Sequence, residues 1–351
     1  MALVNPIVRD RLANQFLAKP RAGAAAELVA WFGAVQAQEY EHALWGIGQR
    51  LAGGPGAAAI ENEITSGRIL RTHVLRPTWH FVAAADLRWM QALTAPRVHA
   101  RMATYNNRLE LDAKTMTRAL SVIERILGDE GCLTRAEIGD ALRQARIPVT
   151  PIRLAHIAMH AELECLVCSG PRRGRMQTYA PVASRAPRSL PKDRDDALGE
   201  LARRFFQSHG PATIRDFVWW SGLTTPDAKR GADIARLSTV HAAGRAYHHI
   251  ETARRRRATR SVPVHLLPIY DEYLVAYRDR DVVPHGAVTI RQNGRAVGFQ
   301  HAIVVEGQVA GTWRTDNDGG EPRLVPVTRL TRAERSAVEQ ARERYSRFVR
   351  S

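Results

Sequence analysis

Ala119-Leu-Ser-Val-Ile-Glu-Arg-Ile-Leu127, Thr134-Arg-Ala-Glu137 and Thr150-Pro151 follow one another in the middle of a 351-residue chain. The apolar residues of the first stretch recur at helical spacing, and Thr134 with Glu137 forms a capping box that opens a second helix over Ile138–Arg143. Thr150-Pro151 starts a third helix, with proline where its missing N–H costs nothing. Leu163–Ser169, a turn at Gly170-Pro-Arg-Arg-Gly174, and Met176–Val182 then read as a hairpin with a basic tip. Three helices and a hairpin predict a winged helix. The same signals return as Ala197-Leu198 to Phe206, Thr213-Ile-Arg-Asp216 and Thr225-Pro226, after a linker over 184–196. This second unit ends in Tyr247-His-His-Ile250 and a basic stretch reaching Arg260.

Toward the amino terminus, helices are predicted near Val8–Phe16, Ala24–Phe32, Glu41–Leu51 and Ile60–Ile64. Ile69–Thr72 and Thr78–Val82 alternate like paired strands, which predicts a further wing carrying Arg71, His73, Arg76, Trp79 and His80. Beyond Val262 the pattern changes to strands with turns at Asn293-Gly294 and Glu306-Gly307, a small barrel or sheet. Thr331–Val349 closes the chain as a helix.

Lys and Arg number 51 against 35 Asp and Glu, a net charge of +16 with a sequence pI near 10.7. That excess is the footprint of a polyanion binder, and it is almost all arginine. An apolar content of 45% excludes a disordered chain. Met1-Ala-Leu-Val-Asn-Pro6 has no apolar core behind it, so no signal peptide is expected, and no stretch is long enough to span a bilayer. Three cysteines, an odd number, fit a reducing compartment. A cytoplasmic protein is expected.

Gln36 and Gln38 lie one residue apart in Gly33-Ala-Val-Gln-Ala-Gln-Glu-Tyr40. On extended backbone, or at a frayed helix end, two such side chains can face one space. Amides do not titrate, but their carbonyls can hold a water and their NH2 groups can donate. They suit a displacement whose leaving group is already cationic, such as an alkylated purine on its sugar. The alternative is one glutamine capping a helix and the other solvated. His156, His160, Cys165 and Cys168 have zinc-like spacing, yet helix and strand would send the pairs apart, so core cysteines are expected. Asp271, Glu272 and Asp279 are read as structural carboxylates bonded to Arg278 or to another module, the alternative being a functional role with one of them at the site and its pKa raised. Arg254–Arg257 touches phosphate or is solvated. On the third helix of the middle unit, Arg153, His156 and His160 oppose the apolar stripe and are free to meet phosphate.

Four segments resemble one family: Val35-Gln-Ala-Gln38 with Ala43-Leu-Trp45, Leu75-Arg-Pro-Thr-Trp-His80, Leu266-Leu-Pro-Ile-Tyr-Asp-Glu-Tyr-Leu274 with Tyr277-Arg-Asp279, and Val309-Ala-Gly-Thr-Trp-Arg314. They are similar to the AlkZ-like winged-helix DNA glycosylases, bacterial enzymes that excise alkylated purines and unhook interstrand crosslinks. The resemblance implies that Gln36 and Gln38 are the catalytic pair of a Gln-x-Gln motif. A sister branch carries Asp at the second position, so the amide pair here implies substrates whose base already bears charge, such as N7-alkylguanine. It also implies a minor-groove hairpin, matched by position to Arg291-Gln-Asn-Gly-Arg295.

Together these readings predict an α+β fold of tandem winged-helix (helix-turn-helix) units packed around a C-terminal β-barrel. The expected boundaries are 1–111, 112–185, 186–261, 262–330 and 331–351. The expected partner is double-stranded DNA carrying alkylated or crosslinked purines, bound by a monomer that uses no membrane, metal or cofactor. Arg71, Arg76, Trp79, His80, Arg153, Arg172, Arg173, Arg175, Arg291 and Arg295 are the expected contacts. No residue at the glutamines can form a Schiff base, which predicts hydrolysis without strand cleavage. The rival reading is a non-catalytic winged-helix binder, either a regulator or a lesion-shielding protein; a third is a protein that captures the alkylating compound.

Overall fold

The computed structural model describes residues 5–188, 190–251, 263–293, 295–315 and 320–351, so the Arg254–Arg257 run lies outside the described residues. After α1 (Pro6–Asn14), the chain runs through α2 (Ala25–Phe32), β1 (Val35–Gln36), α3 (Tyr40–Gly48), α4 (Ala57–Thr65), β2 (Ile69–His73) and β3 (Trp79–Ala83). Strand β3 lies between the other two, in the order β1-β3-β2. A long α5 (Leu87–Arg108) leads to α6 (Ala113–Glu130), β4 (Leu133–Thr134), α7 (Arg135–Gln144), α8 (Pro151–Leu163), β5 (Val167–Ser169) and β6 (Thr178–Pro181). This sheet has the matching order β4-β6-β5. Following α9 (Val182–Arg185), the pattern recurs as α10 (Arg194–Ser208), α11 (Ile214–Ser221), α12 (Thr225–Ala235), β7 (Ser238–Ala242) and β8 (Arg245–His249). A single bridge between Ala212 and His248 stands where the short first strand lies in the other two.

The capping boxes at Thr134/Glu137 and Thr213/Asp216 are both formed, and Pro151 sits in the first turn of α8 behind the Thr150 cap. Each supplies acceptors for backbone N–H groups that the helix itself leaves unpaired.

The remaining elements are β9 (Val264–Leu267), α13 (Glu272–Val275), β10 (Thr289–Gln292), β11 (Arg295–Phe299), β12 (His301–Val305), β13 (Gln308–Arg314), β14 (Arg323–Pro326) and α14 (Arg332–Arg350). Four of the strands form an open antiparallel sheet in the order β14-β13-β12-β9, and β10–β11 is a separate hairpin. The expected barrel does not close among the described residues. The free edge of β9 is covered instead of paired: Trp45 Nε1 donates to the Leu266 carbonyl at 2.7 Å and Arg344 Nη2 to that of Val264 at 2.8 Å. With its acceptors taken by side chains, that edge has no need of another strand.

One face of this sheet shares a core with α2–α4 and α14, through Phe32, Trp45, Ile303, Trp313, Tyr345 and Phe348. The other face packs on α1 and α13 through Val8, Leu12, Val304 and Tyr273. Phe205, Phe217 and Trp220 join Leu70, Val82 and Trp89 in a further core, so the first and third repeats are packed together. Asp271 is locked to Arg50 by two hydrogen bonds of 2.7 and 2.8 Å, with both side chains buried.

Helix α5 changes the reading of α8. Arg153 donates to the carbonyls of Pro148 and Leu109, His156 Nδ1 meets Asn106 Oδ1 at 2.7 Å, and the His160 ring lies 4.7 Å from that of His99. The face expected to be free for phosphate is therefore covered by α5 and the turn after it. No described helix is long and apolar enough to cross a membrane.

Three buried histidines make the fold acid-sensitive. Burial, reinforced by Arg76 at His80, by Arg344 and Arg50 at His265, and by Arg280 and Arg11 at His285, pushes each down to about 3. A histidine depressed in the folded state binds its proton more readily when unfolded. Its stabilisation is complete above the unfolded value near 6.5 and is lost as pH falls toward 3, at roughly 1.4 kcal/mol per pH unit for each residue. Melting temperature should fall steadily from about pH 6.5 to about pH 4.5, and a level profile over that range would contradict these burials.

Candidate active site and nucleic-acid interface

Helix α2 ends at Gly33, whose φ of +82° reverses the chain in a way that favours glycine. The next residues enter β1, where Val35 pairs with Phe81 and Gln36 with His80. The ladder is extended by Ala37 N–H donating to the Trp79 carbonyl at 2.8 Å. Ala37 is wholly buried in the core while Gln36 and Gln38 alternate with it, so the glutamines leave the opposite side of the backbone.

The backbone of this tripeptide is held at nearly every polar atom. Glu272 Oε1 accepts from Gln36 N–H at 2.7 Å. Arg71 Nε donates to the Ala37 carbonyl at 3.0 Å and its Nη2 to that of Gln38 at 3.4 Å. The other Glu272 oxygen accepts from Trp220 Nε1 at 3.0 Å and lies 3.2 Å from His209 Nε2. Burial by itself would push the Glu272 carboxyl up; the His209 contact and the Gln36 N–H together outweigh it and hold it below the usual carboxylate range. With three donors around it, Glu272 is a fixed post for the strand and has no proton to exchange at neutral pH.

The side chains are oriented as well. Arg76 Nη2 donates to Gln36 Oε1 at 2.9 Å. A guanidinium only donates, so this contact fixes which way the Gln36 amide lies and leaves its NH2 group turned away from Arg76. Gln38 Oε1 accepts the Trp79 backbone N–H at 3.4 Å. Each carbonyl oxygen keeps a second lone pair, enough for one hydrogen of a water, but of the two glutamines Gln36 lines the adjoining cleft and Gln38 does not.

Gln36 opens onto a cleft of about 490 Å³, with Pro77, Thr78, Val218, Tyr270 and Phe299 among its walls. Four arginines line it, Arg76, Arg101, Arg215 and Arg278, the last 5.4 Å from the Trp219 ring. Among the described residues of this lining there is no carboxylate, imidazole, thiol or lysine amine. The first repeat, α5, α11, the segment around α13 and the β11 hairpin each supply part of it.

The other expected contacts differ in exposure. Arg291 and Arg295 are exposed on the β10–β11 hairpin, and Arg175 is exposed on the β5–β6 turn. Arg71, Trp79, His80, Arg172 and Arg173 have the following contacts within the protein. Arg71 clamps the glutamine strand and stacks 4.4 Å from the Trp79 ring. Trp79 packs 4.4 Å from His73 and donates to Glu162. His80 is fully buried, with Nδ1 at the Thr78 carbonyl. Arg172 pairs with Glu41 and Glu61, both at 2.9 Å, and Arg173 with Glu137 at 2.6 Å. Asp279 faces Arg215 and Arg245. Burial pushes the Cys168 thiol up to about 12 and raises that of Cys165, as expected of core cysteines.

Sequence reasoning missed Glu272 as the post of the strand, and Arg101, Arg215 and Arg278 as cleft residues. Arg101 lies on α5, which carries no clean apolar period. The others become neighbours of Gln36 only through contacts more than 170 residues apart in the chain.

A curated relative, an interstrand DNA cross-link repair glycosylase of Streptomyces sahachiroi, is 24% identical over 318 residues, covering 86% of this chain and 85% of its own length. The solved structure of Streptomyces sahachiroi DNA glycosylase AlkZ superposes with a TM-score of 0.76 at 21% identity, covering 97% of this chain and 94% of the other, which shows a shared mixed α/β fold. The family profile described as DNA glycosylase AlkZ-like matches residues 29–348. With all but the two ends of the chain inside that match, the protein belongs to the AlkZ-like family of DNA glycosylases.

Proposed function

We propose that this protein is a monofunctional glycosylase that hydrolyses the N-glycosidic bond of N7-alkylated purines in duplex DNA and unhooks interstrand crosslinks built on them. The observation that carries the reading is the cleft at Gln36, cationic, partly aromatic, and without any described group able to act as a general base near neutral pH. Such a site suits a leaving group that is cationic before it reacts. The C1′–N9 bond breaks with its electron pair moving to the purine, which leaves neutral. A water held by the carbonyls of Gln36 and Gln38 then adds to the sugar cation, and its proton passes to solvent. Fixed dipoles stabilise the developing charge without reorganising.

We further propose that the three repeats are winged helices, over 1–111, 112–185 and 186–261, and that they and the hairpin embrace the duplex. Arg175, Arg291 and Arg295 would meet phosphate or groove, and the four cleft arginines the backbone around the lesion. The Arg71, Arg153, Arg172 and Arg173 contacts described above favour a scaffold role for those side chains.

The test is incubation with duplex bearing one N7-alkylguanine or one N7–N7 crosslink, followed by alkali to cleave abasic sites. Release of base without strand cleavage before alkali supports the reading. Tight binding with no abasic product would support the non-catalytic alternative instead. Binding should weaken with salt, with a log–log slope of about −0.9 for each phosphate contacted.

A further inference from the structure

We propose that His99, His160 and Glu164 form a site for one divalent cation of the zinc class that fastens α5 to α8. Among the described residues, these three bring one ligand atom each to within 4.8 Å of one another. His160 lies in the last turn of α8 and Glu164 four residues on at its C-cap, and His99 faces them from α5. Glu164 Oε1 lies 2.9 Å from His99 Nε2 and 3.9 Å from His160 Nε2. Among the described residues, His99 Nε2 and His160 Nδ1 are both shielded from solvent without a hydrogen-bond partner, which the ion pairs with Glu164 alone do not explain. Two imidazoles and a carboxylate are a usual donor set for Zn²⁺, Co²⁺ or Ni²⁺, with solvent at the remaining position. Glu164 is about half exposed, so that position is open to water.

The electrostatic setting is unusual for this chain. In a protein of net charge +16, the charged groups that bear on His160 among the described residues are His99 and Glu164, with no arginine. The helix contact beside the site is also small, consisting of Ala95, Val98 and Met102 against Met159 and Leu163. A cation would reinforce it. Arg101 of the cleft and Glu162, which holds Trp79 behind the glutamine strand, lie within two residues of its ligands. The site departs from the metal-free expectation of the sequence, where His160 groups with Cys165 and Cys168; those thiols are core groups here.

The probe is Co²⁺ titrated into the full-length protein after chelator treatment and dialysis, read by visible absorption and by melting temperature. The proposal predicts saturation at about one equivalent with the spectrum of a low-coordinate nitrogen and oxygen site, displaced by Zn²⁺. His99→Ala, His160→Ala and Glu164→Gln should each weaken binding by more than about tenfold. His156→Ala, on the same helix but bonded to Asn106, should leave it unchanged. Glu164→Gln keeps the side-chain shape and carries the test if an alanine variant does not fold. No saturable Co²⁺ binding, or binding that survives all three substitutions, overturns the proposal.

Discussion

Asp271→Ala is expected to destabilise the fold by about 3–5 kcal/mol, because it strands a buried guanidinium. Both Asp271 oxygens receive Arg50, whose other described partners are the neutral Gly46 and Gln15 carbonyls, the Gln15 amide and the Phe32 ring. Asp271 also caps α13 by accepting from Tyr273 N–H. Denaturant unfolding should show the midpoint falling with little change in slope. Asp10, whose pairing with Arg9 is exposed, serves as the comparison, and its alanine variant should lie within about 1 kcal/mol of wild type. A loss no larger at Asp271 than at Asp10 would show that the pair does not brace the joint between α3 and α13. The neighbouring Glu272 links this joint to chemistry, since a loosened α13 frees the carboxylate that holds Gln36 N–H.

Gln36→Ala is expected to lower the single-turnover excision rate by about 10²–10³-fold, the loss seen when one fixed polar group facing a transition state is removed. Alanine at position 36 also removes the acceptor of Arg76 Nη2, so melting temperature should fall modestly, while DNA affinity, set by phosphate contacts, should stay within about threefold. Gln38→Ala should be similar in direction. Rate constants unchanged in both variants would move the chemistry elsewhere. If affinity alone fell, the glutamines would be contacts for DNA and not positions for water.

The short-range features were legible in the sequence wherever backbone and side chain state the same fact locally. Thr134 with Glu137, Thr213 with Asp216, and the Pro151 start specify helix ends within four residues, and those ends are formed. The strands read at Ile69–Thr72 and Thr78–Val82 are formed as Ile69–His73 and Trp79–Ala83, with both faces buried, Ile69 and Phe81 in one core and Leu70 and Val82 in another. Helix α5 was not legible. Pro96 interrupts its hydrogen-bond ladder, and its second half is polar on most sides because most of it is exposed, with only a small apolar contact to α8 through Val98 and Met102. Closure of the barrel, which does not form among the described residues, was not legible for a different reason: strand pattern reports pairing, while the covering of β9 by Trp45 and Arg344 depends on residues over 75 positions away.

At the site, the glutamine pair was visible as a motif, and the extended backbone needed to align it was one of two conformations open to the sequence. Arginine positions were less informative. Arg71 and Arg76 lie in one wing-like segment, yet the first braces a backbone and the second faces an amide across the cleft. Composition sets the total charge but not which guanidiniums remain at the surface.

The central claim is that uncharged amides direct water to a sugar whose base is cationic beforehand, with no group of the protein gaining or losing a proton. Its most direct test is the pH dependence of the single-turnover rate on duplex containing N7-alkylguanine, measured well below the melting temperature. His80 behind the strand titrates only near 3 and Glu272 is held below the ordinary carboxylate range. The rate constant should therefore be level from about pH 6 to about pH 8.5. A rise or fall of about tenfold per pH unit within that range, in the protein and not in the free nucleoside, would mean that a titrating acid or base does the work and would contradict the account.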